Sequence, residues 1–282
     1  MELLRQLDLV ALVKRALEED LGLGDITTAA TVSPDQRGRA RITVKEPRVI
    51  FCGGILLAPV MAAAGADLKL AKLAVEGAEL KRGENAAEFE GLLAGLLIGE
   101  RTALNFMQLM SGIATMSRQY VDATAGTRAR IVDTRKTHPG LRAIEKYAVR
   151  VGGGTNHRFG LDSGVLIKDN HIAAAGSVRE ALARARKLAP HTLRIEIECE
   201  NLAQVEEAVR CGAEAILLDN MSTADMRRAR EIVGDKVILE ASGNVTLETV
   251  RSIAETGVDL ISVGALTHSP RAADLSMRIE NA

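Results

Sequence analysis

From residue 129 onward one pattern repeats: a short apolar run, a polar or charged tip, then a segment with helical spacing. The apolar runs fall at residues 129–132, 165–167, 193–197, 215–218, 237–239 and 260–263. Helical segments lie between them at 141–149, 178–189, 202–211, 224–233 and 247–256. Runs this short and apolar read as buried strands, and strands alternating with helices predict a parallel sheet. Six strands are clear, and residues 155–158 offer a short seventh, which is too few for a complete eightfold barrel. The expected class is therefore α/β, with an incomplete parallel (β/α) barrel of 6–7 strands over residues 113–268. A doubly wound sheet would need a Gly-rich fingerprint after its first strand, and Asp133-Thr134-Arg135-Lys136 is not one.

The preceding part lacks this rhythm. Residues 3–21 read as an amphipathic helix ended by Gly22 and Gly24, and residues 39–44 place Ala40, Ile42 and Val44 on one face of a half-buried strand. Further strands are expected at 49–52, 68–75 and 86–90, with a helix at 56–64 and a turn at 81–84. Residues 1–112 thus read as an N-terminal α+β open-faced sandwich, an antiparallel sheet with helices on one face, joined by the C-terminal tail 269–282. A long helix at 100–125 carries an apolar stripe of Ala103, Phe106, Met107, Met110, Ile113 and Ala114, in which the methionines fill core rather than bind a metal.

Bulk composition excludes several functions. Lys and Arg number 36 against 37 Asp and Glu, so no global field draws in nucleic acid or an anionic membrane. Aromatic residues make up 2% of the chain, with no Trp, which leaves few stacking platforms for single-stranded nucleic acid. The 3 cysteines, Cys52, Cys199 and Cys211, have no metal-ligand spacing and fit a reducing compartment. Residues 1–22 lack the basic start and continuous apolar core of a signal peptide, and no run is long enough to span a membrane. The expectation is a soluble, cytoplasmic protein that binds neither nucleic acid nor membrane.

Every polar tip follows its strand on the C-terminal side, the rim where (β/α) barrels place their chemistry. Ser242-Gly243-Asn244 and Gly264-Ala265 are small enough for backbone N–H groups to approach a phosphate, although Gly264 fits a tight turn equally well. Glu198 and Asp219 end neighbouring strands. They suit Mg²⁺ held through oxygen and water, sugar hydroxyls, or a developing positive charge; a buried ion pair with Lys168 or Arg158 is the structural alternative. Glu196 lies on the same side of its strand as Glu198 and is a weaker candidate. Arg135, Lys136, Arg158 and Lys168 supply four cations over three segments, enough to want an anion with more than one acidic group. His157 can donate to a carboxylate, though it, His138 and His171 also suit structural roles. Arg101, read as the start of the long helix, stands against the helix dipole and points to a partner elsewhere. Together these features indicate a phosphorylated sugar, an acidic co-substrate and chemistry at an anomeric carbon.

At these residues the chain resembles the quinolinate phosphoribosyltransferases, also called carboxylating nicotinate-nucleotide pyrophosphorylases. The resemblance rests on EDLGLGDITT at 19–28, ERTALN at 100–105, DTRKT at 133–137, GGGTNHR at 152–158, LIKDNH at 166–171, LLDN at 217–220, EASGN at 240–244 and SVGA at 262–265. It implies that quinolinate and phosphoribosyl pyrophosphate become nicotinate mononucleotide, pyrophosphate and CO₂ in NAD biosynthesis, with Mg²⁺ bound mainly through the sugar diphosphate. It further implies a homodimer in which Arg101 enters the neighbouring site; assembly beyond the dimer, such as a hexamer, stays open. By position, Arg135, His157, Arg158 and Lys168 would hold the two carboxylates, with Thr134 grouped among them. Lys136 and Lys168 would face the pyrophosphate, Glu198 and Asp219 would serve the ribose and its metal, and Ser242, Gly243, Asn244, Val263, Gly264 and Ala265 would hold the 5′-phosphate. Lys136, Glu198 and Asp219 would carry the catalysis. Two rivals remain: an aldolase-like enzyme using Lys168 as a Schiff-base amine, and a paralogue that binds a phosphorylated ligand without turnover.

Overall fold

In the computed structural model the described residues are 9–281. The strands, in chain order, are β1 (Arg37–Val44), β2 (Arg48–Ile50), β3 (Lys69–Leu73), β4 (Glu79–Lys81), β5 (Asn85–Leu92), β6 (Arg130–Val132), β7 (Val165–Ile167), β8 (Ile195–Cys199), β9 (Ala215–Asp219), β10 (Ile238–Ser242), β11 (Leu260–Ser262) and β12 (Leu275–Asn281). The chain divides into two compact units, one of residues 1–118, 138–153 and 269–282, the other of 119–137 and 154–268.

The first unit is built on a four-stranded sheet in the order β12-β1-β5-β3, antiparallel throughout. Ala40, Ile42 and Val44 are buried while Arg39 and Arg41 are exposed, as the alternation requires. A separate pair, β2 with β4, is also antiparallel. The expected N-terminal helix is described from Leu9 to Leu21, and its residues 3–8 lie outside the described residues. The long helix starts earlier than expected, at Leu93, and runs to Ala123. Its first turns contain Gly95 and Gly99, which disfavour helix interiors. A Cβ at Gly95 would lie 2.4 Å from the Ala66 backbone, and one at Gly99 would lie 2.9 Å from Met61 Sδ. These glycines therefore permit close packing rather than ending the helix.

The second unit holds a six-stranded, all-parallel sheet in the order β6-β11-β10-β9-β8-β7. Consecutive strands pair from β7 through β11, and β11 pairs back onto β6. Only the β6–β7 pairing is missing, and there Thr155 makes a single parallel bridge to Val132. The result is the expected incomplete barrel. Helices after β8 and β9 are capped by Asn201 and Ser222, whose side chains accept the N–H groups of Gln204 and Asp225.

Three local expectations change. The helix Arg142–Val151 belongs to the first unit rather than to the barrel; Gly152 packs against Ala114 and Ser117, and Arg118 donates to the Gly152 carbonyl. The segment after β10 turns through Thr246 and Thr249 before its helix begins at Val250. A short helix, Asp169–Ala175, follows β7 directly, and His171 Nδ1 accepts the Lys168 N–H at its start.

Gly112 tests the packing of the C-terminal tail in the first unit, because a Cβ there would sit 2.1 Å from the Arg271 carbonyl oxygen. Gly112→Ala should destabilise by about 1–3 kcal/mol through overpacking, read as a lower melting temperature. An unchanged transition would contradict the docking of residues 269–282.

Candidate functional site

A cavity of about 620 Å³ opens at the C-terminal ends of the barrel strands. Thr134, Arg135 and Lys136 enter from the loop after β6, His157 and Arg158 from the segment after Thr155, and Lys168 from the end of β7. Glu198 and Asp219 face it from β8 and β9, Ser242, Gly243 and Asn244 from the end of β10, and Gly264 and Ala265 from the end of β11. The structure thus brings together all of the expected site residues except Val263 and Arg101.

Each segment is held by bonds its sequence supplies. Asp133, inaccessible to solvent, accepts the His157 N–H at 2.9 Å and a side-chain bond from Asn156. Thr134 Oγ1 accepts the Lys136 N–H, and Thr267 Oγ1 donates to the Lys136 carbonyl. Arg158 donates from Nη1 to the Gly164 carbonyl at 3.0 Å. Partial burial and the nearby Arg135 both lower the Arg158 pKa, with Glu196 opposing them. Two guanidinium groups held close in this way favour an anion between or beside them.

On the opposite wall, Lys168 Nζ lies 2.6 Å from Glu198 Oε2, the ion pair weighed in the sequence. Such a pairing suits charge placement and argues against the apolar nest of a Schiff-base amine. Asp219 accepts from Asn220 Nδ2 at 2.9 Å, and Asn220 Oδ1 accepts from Asn244 Nδ2 at 3.1 Å. Gly243 has φ +97°, and a Cβ there would fall 2.1 Å from Asn220 Oδ1. Glycine at this position therefore lets the two strand-end turns interlock. Gly264 has a different reason: a Cβ would stand 3.2 Å from Lys136 Cδ, so its absence leaves room for the lysine stem.

Beneath the rim lies an acidic core. His157 Nε2 is 3.1 Å from Glu196 Oε2 and 3.8 Å from Glu240 Oε2. Glu240 is 1% exposed, and burial together with Glu196 pushes its pKa up to about 8. Three potential ligand atoms of His157, Glu196 and Glu240 converge within 4.8 Å, but the protonated form of Glu240 already relieves the repulsion between the carboxylates. For a magnesium ion carried by a diphosphate, Glu198 and Asp219 are the better match, being hard oxygen donors at neighbouring strand ends.

Two expectations need correction. Val263 is 1% exposed and does not line the cavity; its N–H is spent on the Val132 carbonyl in the barrel ladder. Arg101 lies in the third turn of its helix, which begins at Leu93, so the argument from the helix dipole fails. It is exposed on the first unit and does not line its own chain's cavity, and its expected place in a partner's site is not contradicted by that. His138 pairs with buried Glu145 in the first unit and His171 caps a helix, the structural roles that the sequence also allowed them. Sequence reasoning left Glu240, Ser262 and His268 unassigned, yet all three line the cavity. Glu240 and Ser262 could have been found by counting inward positions two residues apart along β10 and β11.

The fold and site define an incomplete α/β barrel with a cavity of mixed cationic and acidic lining at the C-terminal ends of its strands. Residues 25–111 match the quinolinate phosphoribosyl transferase N-terminal domain, and residues 113–278 match the C-terminal domain of the same family. The chain belongs to this family. It is 42% identical over 276 residues to a probable nicotinate-nucleotide pyrophosphorylase (carboxylating) of Bacillus subtilis, covering 98% of this chain and 95% of that one. It is 46% identical over 270 residues to the Mycobacterium leprae nicotinate-nucleotide pyrophosphorylase (carboxylating), covering 94% and 95%. The crystal structure of nicotinate-nucleotide pyrophosphorylase from Ehrlichia chaffeensis superposes with a TM-score of 0.92 at 41% identity, covering 98% of this chain and 100% of that one.

Glu240 sets a pH response. Because its folded pKa is raised, its contribution to stability is intact below the ordinary carboxylate range and is lost as pH climbs toward about 8. Glu240→Gln keeps the shape and cannot ionise. Its melting temperature relative to the parent should rise between about pH 5 and about pH 8. A pH-independent difference would show that the raised pKa is wrong.

Proposed function

We propose that this chain joins quinolinate to phosphoribosyl pyrophosphate, yielding nicotinate mononucleotide, pyrophosphate and CO₂ in de novo NAD biosynthesis. The observation that carries this reading is the convergence of Arg135, Lys136, Arg158 and Lys168 on one cavity shared with Glu198 and Asp219. Arg135, Arg158 and Lys168, with His157 beside them, hold the two carboxylates of the substrate, and Thr134 borders the same loop. Lys136 and Lys168 face the diphosphate. Ser242, Gly243, Asn244, Gly264 and Ala265 receive the 5′-phosphate at two strand ends.

The chemistry asks mainly for positioning and electrostatics. As the C1–O bond to pyrophosphate breaks, the ribose gains oxocarbenium character that Glu198 and Asp219 stabilise, and Lys136 offsets charge on the leaving group. The pyridine nitrogen then bonds to C1. The cationic ring holds the electron pair left at the adjacent carbon when CO₂ departs, and a proton from water completes the product. Mg²⁺, held by Glu198 and Asp219 through water or substrate oxygens, would supply further neutralisation of the diphosphate.

We also infer a homodimer whose partner supplies Arg101 to the quinolinate end of each site. Arg101 is exposed on its helix and lines no part of its own chain's barrel cavity, which supports this reading. No described helix is long and apolar enough to cross a membrane, and action in the cytoplasm fits the reduced state of all 3 cysteines.

CO₂ release from quinolinate should require phosphoribosyl pyrophosphate, and nicotinate should not substitute. Turnover of nicotinate at a comparable rate would overturn the assignment. Arg158→Ala should raise the quinolinate KM or abolish activity, whereas Lys187→Ala should leave the kinetics unchanged. Mixing inactive Arg101→Ala and Lys168→Ala proteins should restore partial activity, since one heterodimer site then carries neither substitution. No recovery in verified heterodimers would remove the shared-site reading.

A further inference from the structure

His157 lines the cavity, yet both of its ring nitrogens face protein groups. Nδ1 accepts the backbone N–H of Arg158 at 2.7 Å, which places the ring proton on Nε2, and Nε2 lies 3.1 Å from Glu196 Oε2. The His157 and Glu196 side chains are 16% and 12% exposed, so water competes little for this bond. Glu240 Oε2 stands 3.8 Å from the same Nε2, and neither Glu240 oxygen has a hydrogen-bond partner of ordinary geometry. The arrangement is a chain from the barrel interior to the rim: Glu196, His157, the Arg158 backbone, then the guanidinium anchored at Gly164 O.

We propose that Glu196, backed by Glu240, is a positioning residue for the diacid: it accepts the hydrogen bond donated by His157 Nε2–H, fixes the tautomer whose Nδ1 holds the Arg158 N–H, and so aims Arg158. The proposal rests on the reading of the cavity as a quinolinate site. It gives His157 a supporting part in place of direct donation to the substrate. It also explains why Glu196 lies below the rim, out of line with the acids that face the sugar. A carboxylate or an amide can accept the Nε2 proton; an aliphatic side chain cannot, and the ring would then be free to flip or change tautomer.

Two measurements test this. ¹⁵N-histidine NMR of the parent should show His157 as the neutral Nε2–H tautomer at neutral pH; an imidazolium or an Nδ1–H form overturns the proposal without any variant. Steady-state kinetics should then show that Glu196→Leu raises the quinolinate KM about tenfold or more, with the phosphoribosyl pyrophosphate KM near that of the parent. Glu196→Gln should recover to within about threefold, since its amide oxygen still accepts. Equal loss in Gln and Leu, or no loss in either, sinks the positioning role while leaving parent turnover of quinolinate intact. If the parent does not turn over quinolinate at all, the functional reading fails instead, and the NMR result still reports on the Glu196–His157 bond.

Discussion

A single buried carboxylate holds the cationic loops in place. Asp133 accepts the His157 N–H and an Asn156 side-chain bond, and its own N–H donates to the Thr155 carbonyl. The loop carrying Arg135 and Lys136 is thereby tied to the segment carrying Arg158. The Arg135 charge lowers the Arg158 pKa, so the two guanidinium groups repel one another across the cavity. Folding has to bring these charges together against that repulsion. The cationic character of the cavity rests on this enforced proximity more than on any single arginine.

The barrel interior continues the same logic downward. Inward positions on β8 to β11 include Glu196, Glu198, Asp219, Glu240, Ser242 and Ser262 alongside Leu217, Ile238 and Leu260, where small barrels are usually filled by branched aliphatics alone. At the rim the cations are interspersed with Glu198 and Asp219, and Glu196 and Glu240 lie beneath them. Glu198 is matched by Lys168 and Glu196 by the His157 N–H, while Glu240 has burial and a neighbouring carboxylate to keep it protonated. Without that proton the interior would hold one charge more than its partners can balance.

Much of this was legible in the chain because strand, tip and helix recur with little interruption. The six barrel strands, their order of appearance and the polar rim follow from apolar runs ending in charge, as at Asp133 and Lys168. Boundaries failed where packing overrode local preference: Gly95 and Gly99 sit inside a helix because Ala66 and Met61 press against it. The strand β12 alternates Leu275, Met277 and Ile279 with polar residues, a readable period that a view of residues 269–282 as a tail passes over. Val263 was misjudged because proximity in a motif says nothing about whether an N–H is already used in a ladder. The pairing of Glu196 with His157 joins residues 39 positions apart through the barrel interior, and no local pattern announces it.

The missing β6–β7 pairing has a chemical consequence. Along a regular strand only alternate residues face the barrel interior, so a strand cannot present two neighbours to one ligand. At the open position Thr155 makes one bridge and the chain then leaves the ladder. The consecutive residues His157 and Arg158 both line the cavity there. The turn after β10 achieves the same with Ser242, Gly243 and Asn244, where two positive φ values, at Gly243 and Asn244, break the alternation. These consecutive cavity-lining runs thus lie where regular pairing stops. Had the barrel closed through residues 155–158, His157 and Arg158 would point to opposite sides of the sheet, and the chain linking Glu196 to the Arg158 backbone could not form.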